Sequence, residues 1–352
     1  MLRRLPGSLN RARQRADESA LGRNGEQSFM KRFVALAAWL LVSAGSGWAA
    51  QQFPVTGLVL RVNRPRKSLI VSCESIAGYM EAMIMPFQVR EAKELEGLTP
   101  GMTVDFTLVV EKESNYAEHL QIRRYESVEQ DPLTARRLKL LNRLSDPAST
   151  SAKAVGIGQV VPDFALTDQD RHLVALSQFA GKVVAINFIY TNCALPNYCF
   201  RSSNTFGVLQ RRFKEKMGRA LVLLTVTFDP QRDGPDALAR YASTWKADSA
   251  TWHFLSGSVP EIQHVTNMFG VDYFPDEGFM DHSLHTAVID CQGKLVANIE
   301  GNQFTANQLG DLVQTVLTSS RGGNMRSQTR LDHNQDLNPS TWFGDGSQLH
   351  VK

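Results

Sequence analysis

The segment IYTNCALPNYCFR, residues 189–201, sets Cys193 and Cys199 six positions apart, directly after the apolar run VVAINFIY. A thiol pair at that spacing has four uses: a disulfide, a redox couple, a nucleophile with a bystander, or a metal clamp. A thioredoxin-type redox pair has two residues between its cysteines, so that the second thiol reaches the first sulfur; here five intervene, Pro196 among them. Positions i and i+6 of one helix point to different faces, so both sulfurs converge only if the loop is irregular. A chelate suits such a loop at least as well as fast thiol exchange. Thiols between a central strand and a helix start also sit in a field that favours thiolate.

A clamp of this kind calls for a third ligand. HTAVID (285–290) is expected to run antiparallel to VVAINFIY, which brings the preceding loop, Asp281-His282-Ser283, to the sheet end that carries the cysteines. His282 is then the candidate partner of Cys193 and Cys199, with His285 in reserve. Two thiolates and one imidazole suit Cu(I), Cu(II) with an added oxygen, or Zn(II) with an open position. An ordinary disulfide beside a surface histidine fits the spacing equally well. A second soft cluster lies in SCESIAGYMEAMIMPF (72–87), where Met83 and Met85 alternate on one strand face and Cys73 and Met80 are near. Thioether and thiolate donors select Cu(I), although methionines also fill irregular cores.

Several elements must position these groups. Runs at 55–63, 68–73, 86–91, 103–113 and 119–126, separated by turn residues, predict five short strands and a small closed barrel. The pattern at 131–144 predicts a helix with Leu133, Leu140, Leu141 and Leu144 near one face, and 145–158 reads as a flexible linker. From about 160 to 318 strands alternate with helices: buried strands at 183–190 and 220–228, helices at 205–217, 234–245 and 261–270, a hairpin over 285–301 turning at Cys291–Gly293, and a closing helix. The expected organisation is an N-terminal extension and signal peptide (1–50), the barrel (51–127), helix and linker (128–158), an α/β domain (159–319) and a disordered tail (320–352).

Composition narrows the function classes. Of 352 residues, 43% are hydrophobic and 21% charged, as in soluble proteins. Residues 1–32 carry eight Lys and Arg against three Asp and Glu, which leaves 30 basic against 32 acidic residues in the rest. Without a basic field, nucleic acid is excluded as a partner. From Met30 the sequence MKRFVALAAWLLVSAGSGWAA has the build of a secretory signal cleaved after Ala49, with translation expected to start at Met30. An uncleaved membrane anchor is the alternative. Export leaves the four cysteines, Cys73, Cys193, Cys199 and Cys291, outside the reducing cytosol.

VPDFALTDQDRHLVALSQFAGKVVAINFIYTNC, TFDPQRDGPDALARYA and DHSLHTAVID together resemble the Sco/SenC family of thioredoxin-fold, copper-binding assembly factors over about 160–318. The resemblance implies copper held by Cys193, Cys199 and His282 and delivered to the copper centre of cytochrome c oxidase. The family's commonest spacing has three residues between the cysteines rather than five. Peroxiredoxins and thiol reductases share the opening. The proline expected before a peroxidatic cysteine is absent from FIYTNC, however, and no proline precedes TAVID. Residues 54–125 resemble CusF-like periplasmic copper-binding barrels with an M-x-M-x-F motif. That likeness implies a Cu(I) site in which Met83 and Met85 match the methionines, Cys73 stands near the histidine's place and Met80 where a tryptophan is expected.

The expectation is therefore an α/β thioredoxin-like domain preceded by a small five-stranded OB-like barrel. The protein reads as a copper metallochaperone of the periplasm or the outer face of the inner membrane. Its expected partners are a cytochrome c oxidase subunit or another cuproprotein, and a thiol reductant protein. The alternatives are a thiol–disulfide oxidoreductase acting on a copper-site apoprotein, and periplasmic copper buffering.

Overall fold

The computed structural model describes residues 50–111, 115–123, 140, 154–276 and 278–325. The expected signal peptide, most of the helix expected over 131–144, residues 145–153 of the expected linker and the expected tail beyond 325 lie outside them. By contacts, the described residues within 52–109 and 115–325 cluster as one compact unit; of residues 1–51 and 110–114, only 50, 51, 110 and 111 are described.

The N-terminal strands close into a barrel in the order β1-β2-β3-β5-β4. They are β1 (Gln51–Asn63), β2 (Ser68–Cys73), β3 (Met83–Val89), β4 (Thr103–Val110) and β5 (Asn115–Ile122). β3 begins three residues before the position expected from the sequence, so that Met83 and Met85 lie within the strand. Alternate residues Leu69, Val71 and Cys73 of β2 and Phe87 and Val89 of β3 are buried, as a barrel interior requires. β1 breaks this alternation: Leu58, Val59 and Leu60 are all buried. Val59 faces the interior. Leu58 and Leu60 point outward into the core of the α/β domain, packing with residues such as Ala297, Ile299 and Leu309. Burial of each stabilises the structure by about 1.5–3 kcal/mol.

The α/β domain is built on a seven-stranded mixed sheet, order β14-β13-β8-β9-β10-β6-β7. Its strands are β6 (Ala165–Asp168), β7 (Leu173–Ala175), β8 (Val183–Ile189), β9 (Leu221–Thr227), β10 (Trp252–Ser256), β13 (His285–Ile289) and β14 (Leu295–Glu300). A separate hairpin pairs β11 (Tyr273–Asp276) with β12 (Phe279–His282). β8 and β9 are buried along their whole length, as apolar runs in central parallel strands must be. Helices α1 (Arg201–Arg212), α2 (Pro235–Thr244) and α4 (Ala306–Met325) cover one face, and α3 (Val259–Phe269) the other. A Ser258–Glu261 capping box starts α3, and Gly270, at φ +71°, ends it.

β13 pairs antiparallel with β8, as the sequence suggested, with Thr286 opposite Asn187 and Ile289 opposite Val184. Three features differ from the sequence reading. Residues 154–158 are not a free linker: Val155 N donates to Met268 O and Gly158 N to Leu295 O, tying them to the domain. Residues 279–282 form a strand rather than a loop. The last helix runs to Met325, past the expected boundary at 319.

Candidate metal centre

The end of β8 releases the chain into the thiol loop, and one carboxylate holds that exit. Asp233, 1% exposed, accepts from Thr191 N at 2.9 Å, Thr191 Oγ1 at 2.5 Å and Thr227 Oγ1 at 2.6 Å. β9 therefore fixes the start of the loop through a side chain that returns from beyond its own end. Downstream the loop is irregular, as two converging sulfurs demand. Pro196–Phe200 forms a wide helical turn interrupted at Tyr198 (φ −107°, ψ −111°), and α1 begins directly after it. That break turns Cys199 inward. Cys199 is buried in the main core, and Cys193 packs half-buried against it.

His282, the last residue of β12, reaches the same point. Its Nε2 lies 3.8 Å from Cys199 Sγ, and one ligand atom from each of Cys193, Cys199 and His282 lies within 4.8 Å of the others. Nδ1 is 3.0 Å from Ser283 O. A carbonyl only accepts, so Nδ1 carries the proton and, in the neutral ring, Nε2 offers its lone pair to the sulfurs. Rings of Tyr190, Tyr198 and Phe228 surround the imidazole at centroid distances of 5.8, 5.7 and 4.7 Å. They make an aromatic wall against which the imidazole packs.

The two thiols differ electrostatically. The neighbouring Cys199 thiol holds Cys193 down at about 4, against burial, with further help from backbone N–H groups. Cys199 is pushed well above the ordinary thiol range by burial, and further by its bond to Cys193 and by that neighbour's charge. The two shifts run in opposite directions, so Cys193 is the thiol of the pair that gives up its proton first. Tyr190, raised to about 12 by burial and then by the charge of Cys193, stays neutral. The donor set of two converging sulfurs and one oriented imidazole fits a soft or borderline cation.

His285 is not part of this group. Its Nδ1 lies 3.2 Å from Asn298 Oδ1, and burial lowers its affinity for protons. The second sulfur cluster is gathered by strand register. Cys73 stands opposite Met83, and Val71 opposite Met85, so that Cys73, Met83 and Met85 share one face at one end of the barrel. Cys73 is buried and its thiol pushed up to about 12 by that burial, while Met83 is 47% exposed. Met80 lies in the connecting loop, where its neighbour Tyr79 stacks on Phe53 at 4.1 Å. All four cysteines are free thiols. In the sequence nothing marks the three rings, and the one sign of Asp233 is its place in TFDPQRDGP.

The fold and the site define a thioredoxin-like protein whose sheet end carries two thiols and an imidazole, preceded by a small barrel with a sulfur cluster of its own. The SCO1/SenC family model matches residues 153–318, and the model described as copper binding periplasmic protein CusF matches 52–122. The chain is 31% identical over 169 residues to the SCO2-like protein of Rickettsia conorii, covering 45% of this chain and 79% of that protein. It is 24% identical over 191 residues to protein sco1 of Schizosaccharomyces pombe, covering 52% and 69%. Among solved structures, Arabidopsis thaliana ScoI with copper bound superposes with a TM-score of 0.40 at 22% identity, over 47% of this chain and 99% of that one. Yeast Sco1 with copper bound gives 0.40 at 23%, over 49% and 96%. The chain belongs to the SCO1/SenC family.

Proposed function

We propose that this protein is an exported copper chaperone that carries copper on Cys193, Cys199 and His282 and passes it to the copper centre of cytochrome c oxidase or to another cuproprotein. The convergence of the three ligand atoms within 4.8 Å, two of them sulfur, carries the reading. Copper here is cargo, so the site must both hold it and release it. Cys193, half-exposed and the more acidic of the two thiols, is the side from which an incoming ligand reaches the metal. Buried Cys199 and His282, walled by aromatic rings, keep water from the other side. Asp233 and Ser283 position the thiol loop and the imidazole and touch no cargo.

A second soft site for Cu(I), formed by Cys73, Met83 and Met85, supplies the first or stores copper for it. Support comes from the shared strand face and from the family match of the barrel. We place the protein in the periplasm or on the outer face of the inner membrane; the description of the barrel's family as periplasmic supports this. Among the described residues no helix is long and apolar enough to cross a membrane.

The test is copper stoichiometry. The native chain should bind two equivalents and the Cys193→Ser/Cys199→Ser variant one; two in both would remove the thioredoxin-like site. One observation favours a second reading, a thiol–disulfide oxidoreductase: the pairing of a low Cys193 with a high, buried Cys199 is the asymmetry of an attacking and a resolving thiol. His282→Ala separates the two. Loss of copper with intact thiol exchange supports the chaperone, and unaltered copper binding supports the oxidoreductase.

A further inference from the structure

The first turn of α4 carries a glutamine where its cap needs only an acceptor. Thr305 and Gln308 form a capping box: Gln308 N donates to Thr305 Oγ1 at 3.1 Å, and Thr305 N donates to Gln308 Oε1 at 2.8 Å. Glutamate serves as well as glutamine at that position. Only glutamine has a spare N–H, and here Nε2 donates to Ser72 O of the barrel at 3.1 Å, with Gln308 4% exposed. Ser72 is buried too, and its Oγ donates to Asp311 Oδ2, one turn along α4, at 2.7 Å. Asp311 also accepts from Arg212 of α1 at 2.5 Å. Around this polar joint Leu58 and Leu60 enter the domain core. At Gly101 the approach is so close that a Cβ would meet Ala297 Cβ and Ile299 Cγ1, each at 2.9 Å.

We infer that the barrel is a fixed part of the thioredoxin-like body rather than a tethered module, and that Gln308 is the residue that pins it there. A barrel swinging on a linker would expose Leu58, Leu60 and the outward face of β2, and would leave the Ser72 carbonyl and the Gln308 amide to find other partners. The segment that makes the joint also holds the thiol loop. Asn302 donates to Asn197 O, and Arg201, two residues after Cys199, donates to Phe304 O at 3.2 Å. Residues 302–308 thus touch the loop of Cys193 and Cys199 at one end and the neighbour of Cys73 at the other. If the sulfur sites carry copper as proposed, exchange between them runs inside one rigid frame.

The test uses the metal-free full chain, so its outcome stands apart from whether copper binds. Backbone ¹⁵N relaxation should give one rotational correlation time for residues 52–109 and 154–318. Leu58→Asp/Leu60→Asp should split it in two. Gln308→Glu keeps the cap but sets a carboxylate against the Ser72 carbonyl. It should raise the undocked population about tenfold, roughly the worth of one hydrogen bond, seen as new relaxation dispersion at Leu58, Leu60 and Ile299. Two correlation times in the native protein would overturn the inference, as would a folded Gln308→Glu chain whose joint residues relax as the native ones do.

Discussion

Removing the Asp233 carboxylate should loosen the thiol loop at a cost the geometry lets one count. Three donors converge on it, two from Thr191 and one from Thr227, at 2.5–2.9 Å in a site that is 1% exposed. In Asp233→Ala the two hydroxyls turn toward other acceptors, but the Thr191 N–H cannot. Hydrogen bonds to a charged group are each worth about 1.5–3 kcal/mol, and a buried orphan donor costs about 1–3 kcal/mol. Allowing for the hydroxyls, the loss is about 3–5 kcal/mol, or roughly 10 °C in melting temperature. Asp233→Asn behaves differently. Its carbonyl can occupy the Oδ2 position and accept from Thr191 N and Thr227 Oγ1, while its NH2 meets a rotated Thr191 hydroxyl, so the loss is only about 1–2 kcal/mol. Urea unfolding followed by circular dichroism measures both. A separate readout is Asp229, raised by burial and then by the charge of Asp233, which should titrate lower in either variant. An alanine variant within about 1 kcal/mol of the native protein, or an asparagine variant as damaged as the alanine one, would refute this reasoning.

Other perturbations read other parts of the structure. Because Cys193 is held down at about 4, it stays deprotonated at every higher pH, and alkylation by iodoacetamide should be flat from pH 6 to 8 and slow only toward the folded value; a rate climbing about tenfold per pH unit over that range would show an ordinary thiol. Cys73, buried and raised to about 12, should resist the reagent until the barrel unfolds, as mass mapping of the modified peptide would reveal. Phe228→Ala removes a fully buried ring that rests on His282, Tyr190 and Tyr273, and should cost about 3–5 kcal/mol in denaturant unfolding while leaving the His282 ring signal broadened. Gly101→Val places a side chain at φ +89° against Ala297 and Ile299, and should cost more than about 1 kcal/mol by the same assay.

Much of this arrangement was legible in the chain because its chemistry is local or periodic. The apolar runs of β8 and β9 declared central strands. The turn at Asp290–Gly293 declared the β13–β14 hairpin, and the antiparallel pairing of β13 with β8 was enough to bring His282 toward Cys193 and Cys199. Other features left no such trace. β10, WHFLS, is short and carries His253, so its burial in mid-sheet depends on neighbours distant in sequence. Among the described residues the β11–β12 hairpin forms a two-stranded sheet of its own, and Gly278 sits at its turn without a strong flanking pattern. The polar composition after 319 reads as tail, yet the helix continues through Gly322 and Gly323 to Met325. The outward burial of Leu58 and Leu60 is invisible in VTGLVL, since a strand buried on both faces by one domain reads the same as a strand shared between two.

Copper carriage by the thioredoxin-like domain rests on the identity of the atoms around the metal. Copper-edge absorption spectroscopy on the Cys73→Ser/Met83→Leu chain, loaded with one equivalent of copper, tests it most directly. Two sulfur ligands and one imidazole nitrogen are expected, all lost in the added Cys193→Ser/Cys199→Ser background. A copper shell without sulfur, or one unchanged when both thiols are gone, would contradict it.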